Sequence, residues 1–324
     1  MKLRIGNTPM IKIKYEYKGI KKYVFSKLEF YNLTGSIKDR AVYYILNEAY
    51  KNGKLKKGMT IVEATSGNTG IALAAMGNTF GNPVRIYMPD WVSEERVKIM
   101  QNYNAKVILI SKDEGGFKKA ISQAIEYAKE NNAFYSNQFE NESNIIAHYE
   151  TTGKEILENL NEDIGGFVSG IGTGGTLIGT AKRLKEANNN VKIYALEPDK
   201  MPLLSQNKII GDHKIEGIGD EFIPKIVEDN RALIDEIILI NDEDAINMSR
   251  KLAADLGIGV GISAGANFLA SVLAAEKNDG NIVTVFADDS KKYLSTDLVK
   301  KVDNNKDFLS NKIKLIDFEF IFKN

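Results

Sequence analysis

Tyr31-Asn32-Leu33-Thr34-Gly35-Ser36-Ile37-Lys38-Asp39-Arg40 is a turn that runs into a helix. Asn32, Thr34, Gly35 and Ser36 are turn formers, and Ala41, Val42, Ile45, Leu46 and Ala49 follow at helical spacing. Lys38 therefore falls in the first helical turn, where unpaired amides and the helix dipole disfavour a protonated amine. A lysine whose pKa is pushed down acts as nucleophile or base and can form an imine with a carbonyl cofactor. In so lysine-rich a chain, an exposed lysine at a helix start is the competing reading for any one of them.

Two further loops pass from strand to helix in the same way. Gly172-Thr173-Gly174-Gly175-Thr176 follows the apolar run at Phe167-Val168-Ser169 and opens a helix with Leu177, Ala181 and Leu184 on one face. Glycines let backbone amides approach an anion, and the helix N-terminus adds positive potential. With the hydroxyls of Thr173 and Thr176 as extra donors, the loop reads as a phosphate site. Glu197 on the next strand raises a dinucleotide alternative, which fails because Leu177 stands where the third glycine is needed. A nucleoside-triphosphate loop fails too, since Thr176-Leu177 replaces the required Lys-Ser/Thr. Thr65-Ser66-Gly67-Asn68-Thr69-Gly70 closes the run Thr60 to Glu63 and opens a helix through Ile71 to Met76. Small donors and free amides there suit a carboxylate. A tight turn or an ordinary capped helix start explains either loop taken alone.

Apolar β-rich runs alternate with helical patterns along the chain: Val84–Met88, Lys106–Ile110, Val191–Leu196, Ile237–Ile240 and Ile282–Phe286 are strands by this reading, and Ser93–Tyr103 and Gly116–Glu130 helices. Such alternation means βαβ units, hence an α/β fold of parallel sheets with helices on both faces and ligand loops at the strand ends. Gly257 to Ala275 carries no formal charge over a span long enough for a bilayer. Its Gly, Ser, Ala and Asn content reads instead as a buried strand, a glycine loop and the start of a helix. Phe308, Leu309, Ile313, Leu315, Ile316, Phe318, Phe320 and Phe322 make the C-terminal stretch too apolar for a free tail. It is expected to pack on the body or on a second subunit.

At 324 residues and 43% hydrophobic, the chain has ample core and room for two domains. Lys+Arg and Asp+Glu both number 43, so no bulk field points to nucleic acid or an anionic membrane. Without cysteine there is no disulfide, thiolate metal site or catalytic thiol, and two histidines, His148 and His213, do not make a zinc site. Tyr15 to Lys22 is polar and basic where a signal peptide needs an apolar core, so a cytoplasmic location is expected.

Asn32-x-x-Gly35-Ser36-x-Lys38-Asp39-Arg40 resembles the cofactor-lysine segment of the cysteine synthase and cystathionine β-synthase family. Further segments resemble that family in its order: Gly6-Asn7-Thr8-Pro9, Thr65 to Gly70, Gln138-Phe139, His148 to Thr152, Gly172 to Thr176, Gly217-Ile218-Gly219 and Gly261 to Gly265. The resemblance spans Lys2 to about Thr296 and implies a tryptophan-synthase-β-like, fold type II pyridoxal-phosphate enzyme. It implies that Lys38 holds the cofactor and acts as the acid-base group at Cα. It places the phosphate on Gly172, Thr173, Gly174, Gly175 and Thr176, Asn68 on the ring oxygen and Ser263 opposite the pyridine nitrogen. Thr65, Ser66, Thr69 and Gln138 would hold the substrate carboxylate. It implies a smaller mobile domain, 38–144, within a larger one (1–37 and 145–306), a C-terminal extension at 307–324, and a homodimer.

Asp220-Glu221 departs from the small uncharged pair usual in cysteine synthases. A carboxylate near Cβ repels hydrosulfide but can deprotonate water or pair with the ammonium of a second amino acid. The expected reaction is therefore of the cysteine hydroxyl-lyase type: cysteine plus water giving serine plus hydrogen sulfide, with Asp220 as base. O-acetylserine sulfhydrylation, condensation of cysteine with a second thiol amino acid, and a catalytically silent partner subunit stay open as alternatives.

Overall fold

The computed structural model describes residues 3–160, 162–300 and 305–322. Eleven strands are found there: β1 Met10–Tyr17, β2 Ile20–Leu28, β3 Ile61–Ala64, β4 Val84–Pro89, β5 Lys106–Ile110, β6 Phe134–Tyr135, β7 Ile164–Gly170, β8 Lys192–Pro198, β9 Glu236–Ile240, β10 Asn281–Phe286 and β11 Ile313–Ile321. They form a seven-stranded sheet in the order β11-β1-β2-β10-β7-β8-β9 and a four-stranded sheet in the order β5-β4-β3-β6. From β2 to β9 the large sheet is parallel, as the small sheet is throughout. Separate apolar clusters lie on the two faces of each sheet, so both are buried on both sides, as parallel sheets require.

The strand order reverses once in each sheet. In the small sheet β3 lies between β4 and β6, and in the large one β7 lies between β10 and β8. Loops leaving the carboxyl ends of β3 and β6, and of β7 and β10, therefore diverge and leave a crevice. The helix Lys38–Lys51 starts between the sheets, tied to the large one by the Ile37 amide on Ala287 O at 2.9 Å and a bridge between Ser36 and Asp288.

Two features extend the expectation and one differs from it. The N-terminal stretch forms a hairpin, whose Lys18-Gly19 turn has positive φ at both residues, as a two-residue turn matching strand twist demands. The C-terminal stretch forms β11, antiparallel to β1, which settles its packing on the body. The large sheet is thus mixed at one edge. In 257–275 no strand forms: Val260 makes a single bridge to Asp289, and the helix Ile262–Glu276 runs buried almost throughout beneath the large sheet. Among the described residues no helix is long and apolar enough to cross a membrane.

Leu315 is 8% exposed and Phe322 78%. Leu315→Ala should lower the unfolding free energy by about 2 kcal/mol, and Phe322→Ala should change it by less than about 0.5 kcal/mol, measured by chemical denaturation.

Candidate active site

The helix bearing Lys38 is pinned by buried charge. Arg40 is fully buried, and its guanidinium donates to Glu29 at 2.6 and 2.9 Å and to Glu155 at 2.6 and 2.8 Å. Lys27, also fully buried, donates to Glu155 at 2.7 Å and to Thr8 O at 2.6 Å, and the Thr8 hydroxyl donates to Glu29 at 2.7 Å. Two cations and two carboxylates cancel, and the remaining acceptor sites take the Asn7 amide and Asn32 Nδ2. Burial alone would push Glu29 up; the adjoining Arg40 overrides it and holds the carboxyl at about 2. Gly6 closes the clip: with φ of +79°, a Cβ there would stand 2.9 Å from Glu155 Oε1.

Lys38 lines a narrow pocket of about 60 Å³ between the two sheets. Its ammonium form is disfavoured by burial, opposed by the nearby carboxylates of Asp288 and Asp220, so its pKa lies below the ordinary lysine value. The pocket brings together nearly every residue singled out from the sequence: Thr65, Ser66, Asn68, Thr69, Gln138, Gly172, Thr173, Gly174, Thr176, Asp220 and Ser263. Gly175 stands just behind its loop. A Cβ there would lie 2.0 Å from Asn144 Oδ1, and one at Gly172 would lie 2.5 Å from Gly217 O. This cradle closes only around glycine, directly before the helix Gly175–Ala187. His148 supports it from outside: Nε2 lies 3.3 Å from Thr176 Oγ1 and Nδ1 2.9 Å from Thr152 Oγ1, in a π-helical turn at His148–Gly153. Burial holds that imidazole neutral.

Thr65 and Ser66 leave the end of β3, and Gln138 follows β6. Beneath them buried Glu63 accepts from the Ala64 amide (2.8 Å), Ser136 Oγ (2.7 Å) and the Gln138 amide (3.0 Å), its carboxyl raised by burial to about 7. The Gln138 side chain accepts from Thr69 Oγ1 at 2.6 Å and donates to Ala64 O at 3.0 Å, leaving one N–H free. Ser263 lies buried at the start of the helix Ile262–Glu276, on the pocket wall.

Asn68 starts the helix Asn68–Phe80, and its amide is gripped from the large-sheet side. Nδ2 donates to Asp288 Oδ2 at 2.7 Å, and Lys292 Nζ donates to Oδ1 at 2.9 Å. Asp288 also accepts from the Tyr293 hydroxyl at 2.8 Å. Arg96, nearly fully buried, stacks on the Tyr293 ring at 4.7 Å and pairs with Glu216. Arg96, Asn144 and Glu63 carry no sequence signal as site residues: one lies within an ordinary helix, one among many asparagines, and one inside a strand.

Asp220 sits where the pocket opens into a vestibule of about 610 Å³, with Ser66, Phe117 and Glu216 on the shared rim. Burial, with Glu221 adding and Lys38 opposing, raises its carboxyl to about 6. The rival use of Glu197 is closed, since its carboxylate accepts from the Leu204 amide (2.6 Å), the Ser205 amide (3.0 Å) and Ser205 Oγ (2.9 Å).

The family model for pyridoxal-phosphate dependent enzymes matches residues 1–288. Cysteine synthase B of Campylobacter jejuni is 45% identical over 296 residues, 91% of this chain and 96% of that protein. A hydrogen sulfide-producing enzyme from Fusobacterium nucleatum superposes with a TM-score of 0.92 at 50% identity, covering 97% of this chain and 95% of that one. An aspartate-to-asparagine mutant of a hydrogen sulfide-producing enzyme, complexed with an α-aminoacrylate intermediate, gives 0.93 at 49% identity over the same shares.

Replacing Glu155 by Gln leaves Lys27 and Arg40 facing a single carboxylate. The variant should lose about 3–5 kcal/mol of unfolding free energy, measured by denaturation of the full-length protein.

Proposed function

The chain belongs to the pyridoxal-phosphate dependent enzymes, within the cysteine synthase family acting on cysteine or O-acetylserine, and from that premise we propose that it converts L-cysteine and water to L-serine and hydrogen sulfide. The observation that carries the reading is Asp220: a carboxylate raised to about 6, on the pocket wall shared with Lys38. The cofactor fits the residues present, because the glycine cradle and helix start suit a phosphate and Lys38 supplies an amine in the same pocket. When bound, pyridoxal phosphate supplies an electron sink for negative charge at Cα, and a hydroxyl such as Ser263 facing its ring nitrogen favours the neutral pyridine, suited to elimination at Cβ.

Lys38 is the covalent anchor and, once free, the base that takes the Cα proton and later returns it. Burial disfavours its ammonium form, which favours the free amine. Thr65, Ser66 and Gln138 orient the substrate carboxylate, with Thr69 holding the Gln138 amide in place. The Cβ–S bond breaks and sulfide leaves past Asp220, whose charge disfavours return of hydrosulfide. Asp220 then takes a proton from water as the oxygen bonds to Cβ, so atoms balance as cysteine plus water to serine plus hydrogen sulfide. A carboxylate of pKa about 6 is ionised at neutral pH and more basic than an exposed aspartate.

The same reading makes 38–144 a smaller unit that closes over 1–37 and 145–306. The Asn68–Asp288 and Arg96–Glu216 bonds across the cleft support this. It also makes the working enzyme a cytoplasmic homodimer. O-acetylserine sulfhydrylation is the second reading, favoured by the 45% identity to a cysteine synthase.

With cysteine alone the enzyme should release sulfide and serine in equal amounts, identified by amino-acid analysis. A thioether amino acid in place of serine would assign the acceptor role to a second cysteine, and sulfide consumption with O-acetylserine at a far higher kcat/KM would favour the second reading. Asp220→Asn should cut steady serine formation by about a hundredfold or more, leaving only a single-turnover release of sulfide. Asp220 must be ionised to act as base, so wild-type activity should fall as pH drops through about 6. The variant should lack that acid limb, and unchanged serine yield and sulfide release would remove Asp220 from the mechanism.

A further inference from the structure

Asn144 is 1% exposed and does not line the pocket, yet it touches both halves of the site. Its Nδ2 donates to Gln138 O at 2.9 Å and to Thr173 Oγ1 at 2.9 Å. A carbonyl only accepts, so Gln138 O fixes which way the amide faces, and both amide protons are used. Thr173 Oγ1 also accepts from the Gly175 amide at 3.3 Å. A hydroxyl has two acceptor sites and one proton. With both acceptor sites filled, only the proton of Thr173 remains, on a side chain that lines the pocket and is 6% exposed.

We propose that Asn144 is a positioning residue that makes the Thr173 hydroxyl an obligate donor toward a phosphate held in the 172–176 loop. Left free, a threonine hydroxyl rotates and spends its proton on any neighbouring acceptor. Here the alternative orientations are occupied, so the donor is oriented before the anion arrives and no reorganisation is needed on binding. The second Asn144 bond, to Gln138 O, sets the substrate-carboxylate arm on the same support. The missing Cβ of Gly175 is what lets the Asn144 amide lie against the loop.

The proposal rests on reading that loop as the phosphate site. Its test compares the affinity of the full-length enzyme for pyridoxal phosphate and for pyridoxal, which lacks the phosphate, each read from the absorbance of the bound form. In N144D the carboxylate cannot donate, and Thr173 turns its proton toward it. The preference for pyridoxal phosphate over pyridoxal should fall about tenfold or more, the size of one hydrogen bond to a charged group. N144A should lower it less, and carries the same test if N144D does not fold. T173V should lower it comparably, and adding N144D to T173V should cost little more, because both remove one donor. Equal loss of affinity for pyridoxal and pyridoxal phosphate in N144D and N144A, or no loss, would overturn the role of Asn144 while a drop in T173V keeps the loop reading. An unchanged preference in T173V would overturn the donor role of Thr173 and with it the proposal, whereas a wild-type enzyme that binds pyridoxal as tightly as pyridoxal phosphate would overturn the loop reading itself.

Discussion

Arg40 lies two residues beyond Lys38 and is held by four hydrogen bonds to two buried carboxylates, with Lys27 as the second cation. Desolvating four charges is costly, and the interior repays it only when geometry and counter-charge are complete. Here they are complete, and the cluster joins four distant stretches: residues 6–8, β2 with its following turn, the Lys38 helix and the helix at Glu155. The cluster ties the start of the Lys38 helix to the turn after β2 and to the helix at Glu155. The amine is thus delivered to one point between the sheets, and every other group of the site is placed relative to it.

The two sheets face each other with their reversal points toward this amine. Each supplies one kind of polar lining, which the proposed function uses as an anion receptor. The large sheet gives a glycine cradle closed by Gly217, Val227 and Asn144, and the small sheet gives donor side chains at the ends of β3 and β6. Helix starts stand at both, so fixed partial charges favour an anion at either, and buried Arg96, paired with Glu216, stands beside the small-sheet loop. This leaves Lys38 as the ionisable amine of the pocket floor, with Asp220 at its mouth. Burial lowers the Lys38 pKa, which favours the free amine, and raises the Asp220 carboxyl to about 6, which makes its carboxylate a stronger base that is still ionised at neutral pH.

Much of this was legible in the chain because the relevant signals are local. Lys38, Thr65, Ser66, Thr69, Gln138 and the 172–176 loop lie in contiguous turn-to-helix segments or directly after a strand, and all but Gly175 line the one pocket. The parallel strands were legible for the same reason, as short apolar runs. The hairpin and β11 were not read, although Ile11, Ile13 and Tyr15 alternate with Lys12, Lys14 and Glu16. The pairing of β1 with β11 joins Met10 to Ile321, a contact that no window of sequence contains. In the uncharged stretch at 257–275 the helix forms as its composition suggests, from Ile262, but Gly257, Gly259 and Gly261 leave the segment before it a loop with a single bridge at Val260 instead of a strand. Arg96, Asn144 and Glu63 stayed hidden because their importance lies wholly in partners far along the chain, such as Glu216, Thr173 and Ser136.

The proposed chemistry depends on Lys38 bonding covalently to the cofactor. Borohydride reduction of the holoenzyme, followed by proteolysis and mass mapping, tests that most directly. The predicted result is a pyridoxyl group on Lys38, in the peptide that contains Asp39 and Arg40. Modification of a different lysine, such as the buried Lys292 beside Asn68, or of none, would contradict it.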